Sequence, residues 1–416
     1  MKVLIFPKLK VLAGAALVCL LTLSLVIYPK QGVDAAVAGL KVFWDIVLPS
    51  LLPFFVLSEI MLGMGIVHFI GVLLEPLMRP LFNVPGVGAF ALSMGLAAGY
   101  PMDAVITGKF RKSGLCTKVE GERLLSFTNT ADPLFIFGAV AVGMFGRPEL
   151  GVVLALAHYI ASFTVGIVFK FYRKEKHLPA EPASDIHQAG LMTRAVRALF
   201  KARREDGRPL GRLMGDAVKE SMSTLLMIGG FIMLFSVIVK MLTVFGFLGI
   251  LNPLLGGILK IFNIDPHMVH SVFYGILEID LGTMAASKAA APLLDKVMIA
   301  SWIIAWSGLC VHGQVASVIH DTDIRMAPYF AARLLHGIFA AGYTWLLLGP
   351  VSPVFMPLAQ GYSLGKVLNP LNRIIFSGKQ LLIITGILLV CSLGIHYSRR
   401  YRIVFTKGNK SSAVQR

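Results

Sequence analysis

Charge is what this sequence is short of. Only 15% of its 416 residues are Asp, Glu, Lys or Arg, against 56% hydrophobic ones and a mean hydropathy of +0.75. Soluble domains carry roughly a quarter charged residues, so an ordinary soluble enzyme or binding module is excluded. Acids are scarcer still, 22 against 39 Lys and Arg, which leaves a formal net charge of +17. That excess does not signal nucleic acid. The basic residues fall almost wholly in loops between apolar runs, as in the cytoplasmic loops of membrane proteins. Cysteine is sparse and scattered: Cys19, Cys116, Cys310 and Cys391 form no CxxC pair and no metal spacing. No GxSxG, HExxH, Walker or GxGxxG motif occurs. Nothing therefore argues for catalysis, a cofactor or a metal centre.

What the chain has instead is apolar length. Runs able to span hydrocarbon, at about 20 residues per helix, recur at 11–28, 42–64, 121–145, 151–172, 217–245, 294–314, 329–348 and 380–397. The class is an all-α polytopic membrane protein. Lys2, Lys8 and Lys10 precede the first run, and Ala36-Val37-Ala38 resembles a signal cleavage site. The run is span-length, however, and Tyr28-Pro29-Lys30-Gln31 separates it from those alanines. An uncleaved first helix is expected.

The runs also repeat. Leu74-Glu75-Pro76-Leu77 leads through Phe82-Asn83-Val84 to an apolar stretch broken at Gly99-Tyr100-Pro101. Leu251-Asn252-Pro253-Leu254 leads through Phe262-Asn263-Ile264 to another, broken at Glu278-Ile279-Asp280. Farther on, Ala157-His158-Tyr159-Ile160 is echoed by Leu335-His336-Gly337-Ile338. Each pair lies about 178 residues apart, and matched broken segments in two halves point to a transporter's midplane site.

Charge fixes the topology. If every apolar run spanned, Lys109, Arg111, Lys112 and Lys118 would face outward with the basic linker 173–212. Letting 85–109 and 266–290 dip in and return as re-entrant hairpins puts every basic loop in the cytoplasm. The result is two inverted repeats with about eight transmembrane helices and two re-entrant hairpins. Its expected units are an N-terminal helix and loop (1–40), a first repeat (41–172), a mobile basic linker (173–216), a second repeat (217–349), and an external loop, last helix and basic tail (350–416). The amphipathic pieces 66–82 and 247–262 are expected to lie in the interface.

Several residues could carry the transport chemistry. The stretch Ser126-Phe127-Thr128-Asn129-Thr130-Ala131-Asp132-Pro133 falls mid-span. Proline and short polar side chains there unwind a helix and free backbone groups, which hydrocarbon tolerates only around a cavity or inside protein. A simple proline kink is the plainer reading, but Asp132 speaks against it, since a carboxylate at that depth costs about 2.5–3.5 kcal/mol. The matching stretch Trp306-Ser307-Gly308-Leu309-Cys310-Val311-His312-Gly313-Gln314 supplies Ser307, His312 and Gln314. At the first hairpin tip, Gly95, Gly99 and Pro101 permit a tight turn whose half-helix N-terminus favours an anionic group, with Tyr100 able to stack on a planar one. At the second tip, Glu278 and Asp280 suit a coupling cation, a proton or a substrate hydroxyl, and a salt bridge to Lys288 is the structural alternative. His158 and His336 are expected to play equivalent packing or gating roles, and Asp321, Asp323 and Arg325 to form a solvated turn. His267 and His270 lack the further ligands a metal needs.

Gly99-Tyr100-Pro101, the block Leu124–Ile136 and Cys310-Val311-His312-Gly313-Gln314 resemble one family. It is the sporulation integral membrane proteins with nucleoside-recognition (gate) repeats, which are similar to concentrative nucleoside transporters. The family's pattern has a glycine two residues after the tip proline, where this chain has Asp103. The resemblance implies two inverted repeats, each with a re-entrant hairpin and an unwound helix. It further implies transport of dipicolinate across the outer forespore membrane from the mother cell. On that reading Gly99, Tyr100, Thr128, Asn129, Thr130, Asp132, Ser307, His312 and Gln314 hold substrate, with Glu278 and Asp280 as ion-coupling candidates. The acids fit a nucleoside ribose or a cation better than a dianion, which keeps a cation-coupled nucleoside transporter open. A non-transporting sporulation scaffold is the third reading. A small-molecule substrate, membrane lipids, a coupling cation or proton and a second copy of the chain are the partners such a protein takes. Nucleic acid is not among them.

Overall fold

The structure, a computed structural model, describes residues 5–173, 190–349, 386 and 389–394. The described residues are helical throughout. Helix α1 (Ile5–Ile27) is followed by α2 (Pro29–Val42), which runs through a π-helical turn at Phe43–Val47 into α3 (Leu48–Gly63). Gly65, at φ 78°, then turns the chain by 83° into α4 (Ile66–Phe82). A positive φ costs glycine nothing, which is why the corner falls there. Helices α5 (Gly88–Ala98) and α6 (Met102–Lys112) form a hairpin, and α7 (Lys118–Thr128) rises beside it. Thr117 and Glu120 close a capping box at the start of α7. A break follows, then a π-helical segment at Phe135–Met144 and α8 (Glu149–Phe169).

After α9 (Leu191–Asp206) the same order recurs. The long α10 (Leu210–Val244) takes the place of the α2–α3 run, and Gly246 (φ 67°) turns into α11 (Phe247–Ile261). Helices α12 (Val269–Leu277) and α13 (Ile279–Lys288) make the second hairpin, α14 (Leu293–Trp306) and α15 (Gly308–Ile319) the second broken helix, and α16 (Met326–Leu348) matches α8. Pro76 and Pro253 sit inside α4 and α11. Asn83 and Asn263, which follow those helices, both adopt left-handed backbone (φ 57° and 54°). Asparagine is among the few L-residues that visit that region readily, so the two sequence echoes mark equivalent corners.

Among the described residues four helices are long and apolar enough to span a membrane, or six if each of two bent pairs counts as one span. The broken α7 and the segment after it add half-lengths. Of the expected run 380–397, only residues 386 and 389–394 are described. The expected external stretch 350–378 and the basic tail lie outside the described residues. Large apolar side chains such as Leu226, Leu234, Ile250, Ile338 and Trp345 are exposed, as surfaces facing lipid must be.

Two expectations change. Residues 191–206 of the expected mobile linker are the helix α9, packed along α4, with the Leu199 carbonyl against Gly65, and 174–189 lie outside the described residues. Helix α4 is thus covered by protein, with Leu74 and Met78 fully buried, rather than lying free in the interface. The turn 321–325 is not simply solvated. Asp323 accepts from Arg111 (2.7 Å), Asp321 pairs with Lys112 (3.1 Å), and Arg325 pairs with Glu122 (2.7 Å). Lys109 joins Glu220 (3.1 Å) and Glu59 at the same end, where Arg79 bridges Glu75 (2.6 Å) and Glu120, and Glu75 accepts the Gly86 N–H. Both ends of the α5–α6 hairpin therefore lie together in one charged layer. The opposite end is marked by Arg147 with Glu149 (3.5 Å) and by Asp295 accepting the Asp265 N–H (2.9 Å).

Candidate functional site

Helices α5 and α6 have 11 residues each. At 1.5 Å per residue each reaches about 16 Å, half of a ~30 Å hydrocarbon core. Their tip, Gly99-Tyr100-Pro101 with a cis Tyr100–Pro101 peptide, meets the break after α7 directly. A Cβ on Gly99 would stand 2.9 Å from Asp132 Oδ2, and one on Gly95 would stand 2.3 Å from the Thr128 carbonyl oxygen. Residues 129–132 are non-helical. Asp132 caps the next segment by accepting the Phe135 N–H (2.9 Å).

The side chains predicted at this break do come together, but around a residue that the sequence reading did not place in the site. Asp103, in the first turn of α6 and fully buried, accepts from Asn129 Nδ2 (2.8 Å) and from the Thr128 hydroxyl (3.0 Å). Asn129 Oδ1 in turn accepts from the Tyr329 hydroxyl (2.9 Å). Arg333, fully buried in α16, donates to the carbonyls of Asn129 (2.5 Å) and Ser126 (2.6 Å). Thr130 is buried too, its hydroxyl 3.4 Å from the Thr128 carbonyl. An ionisable residue inside a span is a functional flag on sequence grounds alone. Arg333, within the run 329–348, carried that flag.

The second break is made differently. Ser307 and Gly308 both have left-handed backbone (φ 68° and 69°), a conformation that costs an L-residue about 1–2 kcal/mol and that gathers at functional positions. A Cβ on Gly308 would stand 3.1 Å from the Glu278 backbone, so this break abuts the second hairpin tip as the first abuts its own. Glu278 caps α13, accepting the Leu281 N–H (2.8 Å), and both Glu278 and Asp280 are half-buried. Lys288 lies exposed at the far end of α13. His312 is buried with Nδ1 2.7 Å from the Gly308 carbonyl, between the rings of Trp306 (4.3 Å) and Phe330 (4.6 Å). Its Nε2 has no hydrogen-bond partner. Gln314 is turned aside to Cys310 Sγ (3.5 Å) and Ser307 to the Trp306 carbonyl (2.6 Å).

The two halves interlock between these breaks. The Tyr100 hydroxyl donates across them to the Ile304 carbonyl (2.7 Å), while within the second half Trp306 Nε1 donates to the Ile276 carbonyl (3.1 Å). His158 accepts the Ala131 N–H (3.0 Å), while His336 Nε2 lies 2.9 Å from the His158 carbonyl, the two rings 4.6 Å apart. One expectation changes here. The half-helix N-termini, read as sites for an anionic substrate, are supplied with the chain's own carboxylates: Asp103 at α6, Glu278 at α13 and Asp132 before Phe135. A helix N-terminus favours negative charge whatever its source, so an outside anion would compete with these. Among the described residues no group of three or more His, Cys, Asp or Glu could hold a metal ion.

Comparison with known proteins adds a family to this geometry. The Gate family profile, described as nucleoside recognition, matches residues 45–173. That stretch holds the first hairpin, the α7 break and α8. No solved structure matches the chain. The chain is 44% identical over 352 residues to the sporulation integral membrane protein YlbJ of Bacillus subtilis (strain 168), covering 83% of this chain and 84% of that one. With both lengths covered so fully, the protein belongs to the YlbJ family of sporulation integral membrane proteins and carries that family's gate domain in its first half.

Proposed function

We propose that this protein is a membrane transporter of a small polar metabolite, and that the metabolite is dipicolinate, moved through the outer forespore membrane into the developing spore. On this reading the two halves cross the bilayer in opposite senses, and each contributes one re-entrant hairpin and one broken helix to a shared midplane site. The observation that carries it is the apposition, in both halves, of a half-length hairpin tip with a helix break. Such backbone is stable at membrane depth only where it lines a cavity or is buried in protein, and paired discontinuous helices are how carriers build midplane sites. Reciprocal packing supports the opposed senses: α6 lies on α15 as α13 lies on the Phe135–Met144 segment, and α7 lies on α16 as α14 lies on α8. The half-buried aromatic rings of Tyr100, Phe135 and Trp302 around the tips suit a planar ring.

Carboxylates at all three N-termini favour a second reading, a cation-coupled nucleoside carrier. Ribose hydroxyls donate to carboxylates, whereas a dianion is repelled unless a cation or protons travel with it. Labelled dipicolinate and labelled uridine, offered to vesicles containing the purified protein, separate these readings. Saturable accumulation of dipicolinate alone is the expected result. Accumulation of uridine alone establishes the second reading, and uptake of neither leaves a non-transporting scaffold.

A further inference from the structure

Arg333 sits inside an apolar, span-length helix and is fully buried. A charge so placed is retained only when the protein compensates it thoroughly. The compensation here is unusual. The guanidinium's hydrogen bonds run to main-chain oxygens: Asn129 (2.5 Å) and Ser126 (2.6 Å) at the first break, and Ala305 (3.5 Å) just before the second. Its flank rests over the Tyr329 ring, 5.5 Å from the centroid. The negative charge it answers is one residue removed, because Asn129 offers its carbonyl to Arg333 and its Nδ2 to Asp103.

Carbonyls released by an unwound helix, with a carboxylate close by, are the ligand set that carriers use for a coupling ion. In this protein a side chain fills that set. The planar fork of arginine is always charged and carries five donors, so it can satisfy carbonyls from two chain segments at once. We propose that Arg333 is a built-in cation. It occupies the carbonyl cage at the first helix break that a mobile ion would otherwise take, so this half of the molecule binds no free cation. The term coupling rests on the transport reading above, but occupancy of the cage is testable without any transport.

The repeat sharpens the point. The separation of 178 residues between His158 and His336 maps Arg333 onto Ala155, a buried alanine in α8. The helix that faces the second break thus brings a methyl group where α16 brings a guanidinium. There Glu278 and Asp280 stand half-buried, with no Lys or Arg among the described residues forming an ion pair with either. A mobile cation is thereby confined to the second half, and Arg333 acts as a positioning residue that fixes which half responds to ions.

The test is thermal melting of the detergent-purified full-length protein at constant ionic strength, with choline exchanged for sodium or for millimolar methylguanidinium. The wild type should be indifferent to methylguanidinium. Arg333→Ala should melt several degrees lower and recover saturably with methylguanidinium, which refills the cage. Adding Asp103→Asn to that variant should abolish the recovery, since the negative partner is gone. Arg333→Lys keeps the charge and should fold without a methylguanidinium response, which preserves a readout if Arg333→Ala does not accumulate. Any sodium response of the wild type should disappear in Glu278→Gln/Asp280→Asn. A sodium response that survives there and is lost in Asn129→Ala overturns the proposal. So does a folded Arg333→Ala that responds to no cation.

Discussion

The two helix breaks of this molecule occupy matching places and are built in opposite ways. The first is densely bonded: Thr128, Asn129 and Thr130 are fully buried, and Asp103, Tyr329 and Arg333 engage the Asn129 amide and carbonyl, although Arg333 Nε itself has no partner. The second is open: Glu278 and Asp280 are half-buried, and His312 keeps a buried nitrogen without a partner. Two halves that share an order of elements need not share a task. A buried polar network bonded this densely fixes geometry. A region with acceptors to spare has something left to bind. On the proposal above the first break is the frame and the second the responsive face, with the Tyr100–Ile304 bond tying one to the other.

The comparison is broken most severely by removing one member of the network at the first break. Arg333→Met should cost about 3–5 kcal/mol, because it leaves Asp103 buried without its counter-charge. The check is melting temperature and the yield of inserted protein. If that yield stays at the wild-type level, the first break is not a frame. Asn129→Ala acts on the same network and should lower stability as well as uptake.

Next in size are the glycines that let each hairpin close. Gly282→Ala would place a methyl group 2.3 Å from the Gly275 Cα, forcing α12 and α13 apart. Overpacking of this kind costs about 1–3 kcal/mol. Limited proteolysis and melting should both report a loosened second hairpin. Gly257→Ala is its control, since nothing lies within 4 Å of a Cβ there.

On the open side, Glu278→Gln/Asp280→Asn should cut concentrative uptake roughly tenfold, equivalent to about 1.4 kcal/mol, while leaving the melting temperature close to wild type. A large fall in stability with unchanged uptake per folded molecule would merge the two breaks into one structural class.

The smallest effect belongs to the charged layer. Arg111→Ala should cost about 0–1 kcal/mol, the range of exposed pairs, and leave uptake intact. The Arg111 hydrogen bond holds the Asp323 carboxyl below its ordinary value. A depressed folded value contributes stability above the unfolded value of about 3.9 and loses it as pH falls through the folded one. The wild type and Arg111→Ala should therefore differ at neutral pH and converge only in strong acid. A melting series against pH reads this directly.

Much of the candidate site was legible because its signals are local. Pro133 and the polar run before it must interrupt a helix wherever the chain goes, and Gly99 must turn. The pair Asn83 and Asn263 marked its corners for the same reason. What sequence reading missed was long-range. Tyr329 and Asn129 bond across 200 residues, and no spacing rule relates positions that meet only when helices pack. Nor does composition disclose that a carboxylate of the chain itself, at Asp103, occupies the helix terminus that a substrate anion was expected to use.

Reading the sequence was enough for the membrane class, the helical content and the places where helices break, because each follows from the hydropathy or backbone freedom of neighbouring residues. Packing in three dimensions settled that α9 covers α4, that the turn 321–325 is clasped by Arg111, Lys112 and Glu122, and that Arg333 reaches the carbonyls at the first break. Those outcomes depend on which distant groups packing brings within hydrogen-bond reach in a low-dielectric interior, where an unpaired polar group is costly and a paired one is held fast.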